Sequence, residues 1–372
     1  MNYLAILGRQ PEISIAELKA ILEEKWYLKE YHQNVLLAKI SGEKSSSVLP
    51  VEISKLGGTL KLAIELAEKP LDFLRNLPDG KITLGVSDYS KNASRKTAII
   101  EALKLKKILT RHGRSVRVVE NKEAVLSTAT SLHNGLSGKN ERKIELIKVN
   151  DNWYKVIGIQ DIDAYSKRDQ ARPARDAKVG MLPPKLAQIL INLCGPLKPN
   201  ARILDPFCGT GVVLQEALLM GYHVYGTDIN SRMIEYSEKN LKFFNFNNYK
   251  LEVGDAISYK WAEKIDAVAC EGYLGKPMST IPLEIKLKTE KQECSTIILG
   301  FLKNLYTQIE PNTPVTIACP AWLRKDGSYS RLEILDEIEN MGYNVNNKSR
   351  EGLLYHRDGQ IVARDIIILR KK

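Results

Sequence analysis

Arg202-Ile-Leu-Asp-Pro-Phe-Cys-Gly-Thr-Gly-Val-Val-Leu-Gln-Glu-Ala-Leu-Leu-Met-Gly221 reads as a buried strand, a tight glycine loop and a helix that a glycine ends. Tyr222-His-Val-Tyr-Gly-Thr-Asp228 follows at once as a second strand, and like the first it closes on a carboxylate. The same alternation continues downstream. Strands are predicted at Ile203–Leu204, His223–Thr227, Lys250–Val253, Ala267–Cys270 and Val315–Cys319. Helices are predicted at Val212–Met220, Ser231–Phe244, Thr296–Ile309 and Ser330–Met341. Strands alternating with helices imply an α/β fold built on a doubly wound, mostly parallel sheet. Leu353–Leu369 adds a β-hairpin turning at Asp358-Gly359.

In such sheets small ligands bind beyond the carboxyl ends of the strands. Gly209 and Gly211 permit close backbone approach at a helix N-terminus, where free N–H groups favour an anionic group. Leu214 stands where a third glycine would complete a dinucleotide fingerprint, so that match is partial, and a Gly-x-Gly alone equally suits a plain turn. Asp205 can face an ammonium group. Asp228 can accept from both hydroxyls of a ribose; the alternative role, capping the next helix, falls more naturally to Asn230 or Ser231. Asp255, in Gly254-Asp-Ala256, can accept from an adenine amino group or simply make a turn. A ligand with an amino group, a ribose and an adenine fits this set, and S-adenosylmethionine (SAM) is one.

The rest of the chain bounds the class. Its 372 residues are 44% hydrophobic and 27% charged, ordinary for a folded soluble protein of two or three domains. No run is long and apolar enough for a membrane span, and Met1–Gly8 reads as a first strand rather than a leader, so a cytoplasmic protein is expected. The five cysteines include no Cys-x-x-Cys pair and the histidines are scattered, so no metal site is expected. Net charge is +11, which suits an anionic partner. Residues 81–120 alone carry a basic surplus of seven. There Lys104, Lys107 and Arg111 recur at helical spacing within Thr97–His112, followed by Arg114 and Arg117. Arg168, Arg172 and Arg175 lie in a polar connector. All eight are candidate phosphate contacts, the alternative being a solvated face. Upstream, Ser14-x-x-Glu17 predicts a capped helix from Ile15, followed by apolar pulses at Val35–Ile40 and Thr59–Leu66 between polar loops and by strands at Lys81–Val86 and Ser115–Val119. Ile144–Val149 and Trp153–Ile159 form a hairpin candidate.

Cys270-Glu-Gly-Tyr-Leu-Gly275 ends the fourth strand of the alternating region. Methylating an exocyclic amine requires an acceptor for one N–H, a carbonyl for the other and an aromatic face for the base. Glu271 suits the first role, the backbone of Cys270 or Gly272 the second, and Tyr273 the third.

With these residues in view, the stretch 165–275 resembles the tRNA guanosine-10 N2-methyltransferase family of archaea and eukaryotes and its bacterial relatives. Asp205-Pro-Phe-Cys-Gly-Thr-Gly211 has the form of that family's first cofactor motif, and Lys178-Val-Gly-Met-Leu-Pro-Pro-Lys-Leu-Ala187 resembles the segment before it that encloses the methionine end of the cofactor. The resemblance implies a ferredoxin-like domain over 1–78, a THUMP-like RNA-binding domain over 79–160, a linker over 161–180 and a Rossmann-like SAM methyltransferase domain with a seven-stranded sheet over 181–372. It implies cofactor binding by Met181, Leu182, Pro183, Asp205, Phe207, Gly209, Thr210, Gly211, Asp228, Ile229, Asp255 and Ala256, catalysis by Cys270, Glu271, Gly272 and Tyr273, and tRNA as substrate. A monomer is expected; eukaryotic relatives use a small zinc-protein partner. One departure stands out. Amino-directed methyltransferases carry Asp/Asn-Pro-Pro-Tyr/Phe where this chain has Cys270-Glu-Gly-Tyr273. A SAM-fold RNA-binding protein without activity, and a DNA amino-methyltransferase, are the rival readings.

Overall fold

The computed structural model describes residues 2–22, 26–32, 37–42, 51–175, 182–349 and 353–372. Two compact units emerge, Met1–Ile15 with Leu22–Ala164, and Ala16–Ile21 with Tyr165–Lys372.

The first unit contains β1 (Asn2–Leu7), the start of α1 (Pro11–Ile21), β2 (Trp26–His32), β3 (Leu37–Gly42), β4 (Thr59–Glu65), α2 (Pro70–Arg75), β5 (Ile82–Asp88), α3 (Arg95–Arg111), β6 (Val116–Val118), α4 (Thr128–His133), β7 (Lys143–Val149) and β8 (Asn152–Ile159). One sheet of order β2-β3-β1-β4-β8-β7-β5-β6 runs through all of its strands. The strands on either side of the Leu77–Gly80 turn therefore share a sheet, through β4 and β8. The predicted hairpin is present as β7 and β8, with Asn150 at φ 53° in its turn. Helix α1 begins at Pro11, four residues before the expected start. Proline is pre-set for a first helical position, and Ser14 lies inside the helix, its hydroxyl donating to Gln10 O and Gly58 O. Helix α3 is capped by Ser94 in a reciprocal pair with Thr97, and it buries Ala98, Ala102, Leu105 and Leu109 against the sheet. Lys61 and Glu145 form a fully buried ion pair at 2.6 Å; Lys61 also donates to Leu126 O and Ser131 Oγ, and Ser87 donates to Glu145 Oε1.

Apart from the end of α1, the second unit starts within α5 (Ile162–Gln170), so the region expected as a linker starts with a helix. It continues through α6 (Pro184–Asn192), β9 (Arg202–Asp205), α7 (Val212–Leu219), β10 (His223–Asp228), α8 (Ser231–Phe243), β11 (Tyr249–Val253), β12 (Ala267–Glu271), α9 (Glu284–Tyr306), β13 (Pro314–Leu323), β14 (Tyr329–Arg331), α10 (Leu335–Asn340), β15 (Tyr343–Val345), β16 (Leu354–Tyr355) and β17 (Val362–Lys371). The main path of its sheet runs β11-β10-β9-β12-β13-β17-β15. Strands β11 to β13 are mutually parallel; β17 is antiparallel to both of its neighbours. This is the Rossmann-like methyltransferase arrangement, with the expected C-terminal hairpin formed by β16 and β17.

Two helix expectations change. Helix α9 starts at Glu284, twelve residues before the predicted Thr296, with Leu287, Glu290, Cys294, Ile298, Phe301, Leu302 and Leu305 buried at helical spacing. The buried acid Glu290 interrupts the apolar pattern that would have revealed the first half. The predicted helix from Ser330 is instead a hairpin strand, β14, paired with β13 through a turn in which Gly327 takes φ 82°, and α10 begins only at Leu335.

Candidate active site

Strand β9 is buried over most of its length and ends in Asp205, 2% exposed. Asp205 Oδ1 accepts from Phe207 N at 3.1 Å. The loop then turns tightly, Gly211 N donating to Cys208 O at 2.8 Å, with Gly209 at φ 51° and Gly211 at φ 80°. The two glycines serve different ends. A Cβ on Gly211 would meet Ser237 Oγ at 2.9 Å, so packing against α8 requires glycine there. Among the described residues, a Cβ on Gly209 would meet only Phe207 O, at 3.9 Å, so none of them crowds the loop at that point. Helix α8 grips the loop from behind: Ser237 Oγ donates to Gly209 O at 2.8 Å, and the buried Asn240 amide donates to both Thr210 O and Ala174 O at 2.9 Å while accepting from Ala174 N at 3.0 Å.

Strand β10 carries Asp228 to the same edge. Its Oδ2 accepts from Gly209 N and its Oδ1 from Asn230 N, both at 2.9 Å. Asn230, as expected, is the residue that caps α8. Ile229 is 70% exposed, an apolar side chain presented at the strand end. After β11, Asp255 Oδ1 accepts from Ile257 N at 3.1 Å in a local turn; Asp255 is exposed and Ala256 is buried. Thr210 and Phe207 sit in the loop, Phe207 packed edge-on against Phe301 at 5.2 Å. Leu182 and Pro183 are buried at the start of α6. Met181 lies outside the described residues.

Strand β12, on the other side of β9, ends in Glu271. Its Oε1 accepts from Arg364 Nε at 2.8 Å, and the two side chains are 17% and 6% exposed. Arg364 comes from β17 and is absent from the sequence-based candidates. The loop beyond Glu271 is fixed rather than loose. Gly272 N donates to Ala318 O at 3.0 Å, the Tyr273 hydroxyl donates to Glu293 Oε1 at 3.0 Å and Lys276 N donates to Glu290 Oε2 at 3.2 Å. Gly275 sits at φ 81°, where a side chain is strained and would meet Glu290 Oε2 at 2.9 Å. Two acids of α9 thus hold a segment that carries no proline. Cys270 is fully buried and its thiol is pushed far up by burial, so only its backbone is available for chemistry.

Asp205, Asp228 and Glu271 therefore stand at the carboxyl ends of three adjacent parallel strands. All three carboxyls are raised above the usual range, in each case chiefly by burial. For Asp205 the neighbouring Asp228 and Glu271 add to the rise; for Glu271 the Arg364 guanidinium opposes it. Burial, reinforced by Glu293, pushes the Tyr273 hydroxyl up to about 12. Anions crowded at one edge next to a glycine loop suit a ligand bearing positive charge and hydroxyl donors. No group of acids, histidines or cysteines with metal-binding geometry occurs among the described residues.

The basic candidates divide in two. Lys104, Lys107, Arg111 and Arg117 are exposed. Arg114 is turned inward, donating to Asp79 Oδ1 and to the carbonyls of Leu77 and Pro78. Arg168 pairs with the buried Glu216 at 2.8 Å, and Arg172 is 3% exposed, donating to Thr210 Oγ1 at 3.2 Å. Arg175 is exposed. No helix among the described residues is long and apolar enough to cross a membrane.

Comparison with known proteins places these features in context. Residues 197–323 match a family model described as a methyltransferase domain, and residues 87–239 match one described as a DNA methylase. A tRNA (guanine(10)-N2)-dimethyltransferase of Pyrococcus abyssi is 30% identical over 358 residues, covering 93% of each chain. A protein of the same description from Methanothermobacter thermautotrophicus is 33% identical over 157 residues, 42% of this chain and 44% of that one. Among solved structures, TrmN from Thermus thermophilus aligns over the whole of both chains at 15% identity with a TM-score of 0.49.

Proposed function

Since the chain belongs to the tRNA (guanine(10)-N2)-dimethyltransferase family, we propose that it is an active SAM-dependent tRNA methyltransferase acting on the exocyclic N2 of a guanosine, position 10 by kinship, despite its altered reactive motif. The observation that carries this reading is the alignment of Asp205, Asp228 and Glu271 on adjacent strand ends beside the glycine loop at Gly209.

The residues present suit the cofactor. Asp228 offers acceptors to two ribose hydroxyls while its backbone bonds keep it in place. Asp205 Oδ2 has no hydrogen-bond partner among the described residues and can take an ammonium group, which relieves the repulsion among the acids. Ile229 supplies apolar surface and Asp255 an acceptor for adenine. SAM, when bound, supplies an electrophilic methyl group. The guanine amine is a weak nucleophile because its lone pair is shared with the ring. Glu271 Oε2, which makes no hydrogen bond among the described residues, accepts one N–H and takes up the proton that the amine sheds. A backbone carbonyl at Cys270 or Gly272 takes the other N–H. Tyr273, its hydroxyl tethered to Glu293, presents its ring to the flipped base. The N-terminal unit serves as the THUMP-like RNA-binding module, with Lys104, Lys107, Arg111 and Arg117 as its phosphate contacts. The enzyme works as a cytoplasmic monomer.

Incubation with labelled SAM and bulk tRNA, followed by nucleoside digestion, tests this. N2-methylated guanosine is the expected product. Its absence across tRNA from several sources, with SAM still bound, would leave an inactive RNA-binding protein; methyl transfer to DNA but not RNA would favour the rival that the DNA methylase match suggests.

A further inference from the structure

We infer that Arg364 is a positioning residue for the methyl-transfer step: its guanidinium fixes the Glu271 carboxylate so that one oxygen is held and the other faces the substrate amine. The inference rests on Glu271 being the acceptor proposed above.

The sheet register makes the contact. Glu271 on β12 is opposite Ala318 on β13, which is opposite Ile366 on β17. Residues paired in this way share a face, and Arg364, two residues before Ile366, shares it too. Arg364 lies opposite Pro320 on β13 and reaches from β17 across that strand to β12. Its Nε meets Glu271 Oε1 at 2.8 Å, and its Nη1 donates to Gln360 Oε1 at 3.2 Å. The guanidinium is thus held from two sides.

Stability alone is a poor reason for such a pair, because desolvating both ions costs about as much as their attraction returns. Orientation is a better one. A glutamate has one more rotatable bond than the Asp or Asn found at amine-directed sites, so its carboxylate is harder to aim. An arginine bond to one oxygen removes that freedom and leaves Oε2 as the single acceptor. It also opposes the rise that burial imposes on the carboxyl. The charged and titratable groups near Glu271 are Arg364 from β17, Asp205 from β9 and the buried Cys270 thiol on its own strand. Among the described residues, Arg364 is the cation that acts on Glu271.

The test uses the full-length protein with SAM and tRNA, comparing wild type, Arg364→Met and Arg364→Lys. Arg364→Met is expected to lower kcat by about 10²-fold, to leave SAM affinity and the KM for tRNA within about twofold, and to move the acid limb of the kcat–pH profile to higher pH. Arg364→Lys restores the charge without the planar fork. It should return the acid limb to its wild-type position while recovering only part of kcat. A merely structural role would instead lower melting temperature and SAM affinity together and leave the acid limb in place. That result, or an Arg364→Met variant as active as wild type, overturns the inference while leaving the proposed function standing. A wild-type protein that binds SAM and makes no methylguanosine overturns both.

Discussion

Asp228 braces the loop that follows the neighbouring strand: its Oδ2 accepts from Gly209 N at 2.9 Å. One carboxylate thus sets the shape of the glycine loop and also lines the proposed ribose site, which couples two functions in one side chain. Asp228→Ala is expected to weaken SAM binding by about 10²-fold, since hydrogen bonds to a charged acceptor contribute about 1.5–3 kcal/mol each. Isothermal titration measures this directly. Retention of full affinity would remove Asp228 from the cofactor site.

Asp205 is buried among acids, and its pKa is raised. A carboxyl whose folded pKa lies above its unfolded value adds stability at low pH and loses it as pH rises through the folded value. At neutral pH the ligand-free protein therefore carries a strained group. Asp205→Asn is expected to stabilise the free protein at pH 7 by about 1 kcal/mol, a melting shift of roughly 2–4 °C, and to bind SAM more weakly. The stability gain should shrink on acidification toward pH 4, and thermal melts across pH, with and without SAM, check both halves.

Much of this edge was legible in the sequence because it is local. Asp205, the glycine loop, Asp228 and Glu271 each lie at the end of a strand whose apolar run is visible, and Asn230 before Ser231 marks a helix start. Arg364 was not legible, because its role depends on β17 crossing back beside β13, far along the chain. One signal did exist: Arg364 and Asp365 are two charges inside the apolar run Ile361–Leu369, and a buried charge needs a partner. Asn240, Glu290 and Glu293 escaped for a similar reason, being polar residues on helix faces that the pattern alone assigns to solvent. Arg114, Arg168 and Arg172 show the converse, basic residues that read as surface charge and are turned toward internal partners.

Asn240 makes hydrogen bonds to Ala174 N, Ala174 O and Thr210 O. Asn240→Ala strands all three groups in a buried setting, for a cost of roughly 3 kcal/mol. Urea unfolding should show the lower midpoint. Because the loop at Thr210 loses its support, SAM affinity should fall as well, although Asn240 lies behind the loop.

For the nucleic acid, a triple Lys104→Ala, Lys107→Ala, Arg111→Ala variant removes exposed charge from α3 without touching its buried face of Ala98, Ala102, Leu105 and Leu109. Binding to tRNA should weaken, and the slope of log affinity against log salt should flatten by roughly 0.9 for each phosphate that is no longer neutralised. Arg114→Ala, by contrast, should act on stability, since it unties the 77–79 turn. Affinity titrations at several salt concentrations separate the two.

Arg364 and Asp365 are neighbours on β17 and so point to opposite sides of the sheet; Asp365 lies 3.7 Å from Arg331. Suppose β17 slid by a single position along β13. Every side chain would change sides, and Asp365 would take the place of Arg364 across from Pro320, so the face that carries Glu271 would gain a second carboxylate and lose its guanidinium. The correct alignment of the final strand is thus the one that pairs unlike charges, and the misaligned ones are penalised by repulsion. The same guanidinium that aims a reactive carboxylate also tells the sheet how to close.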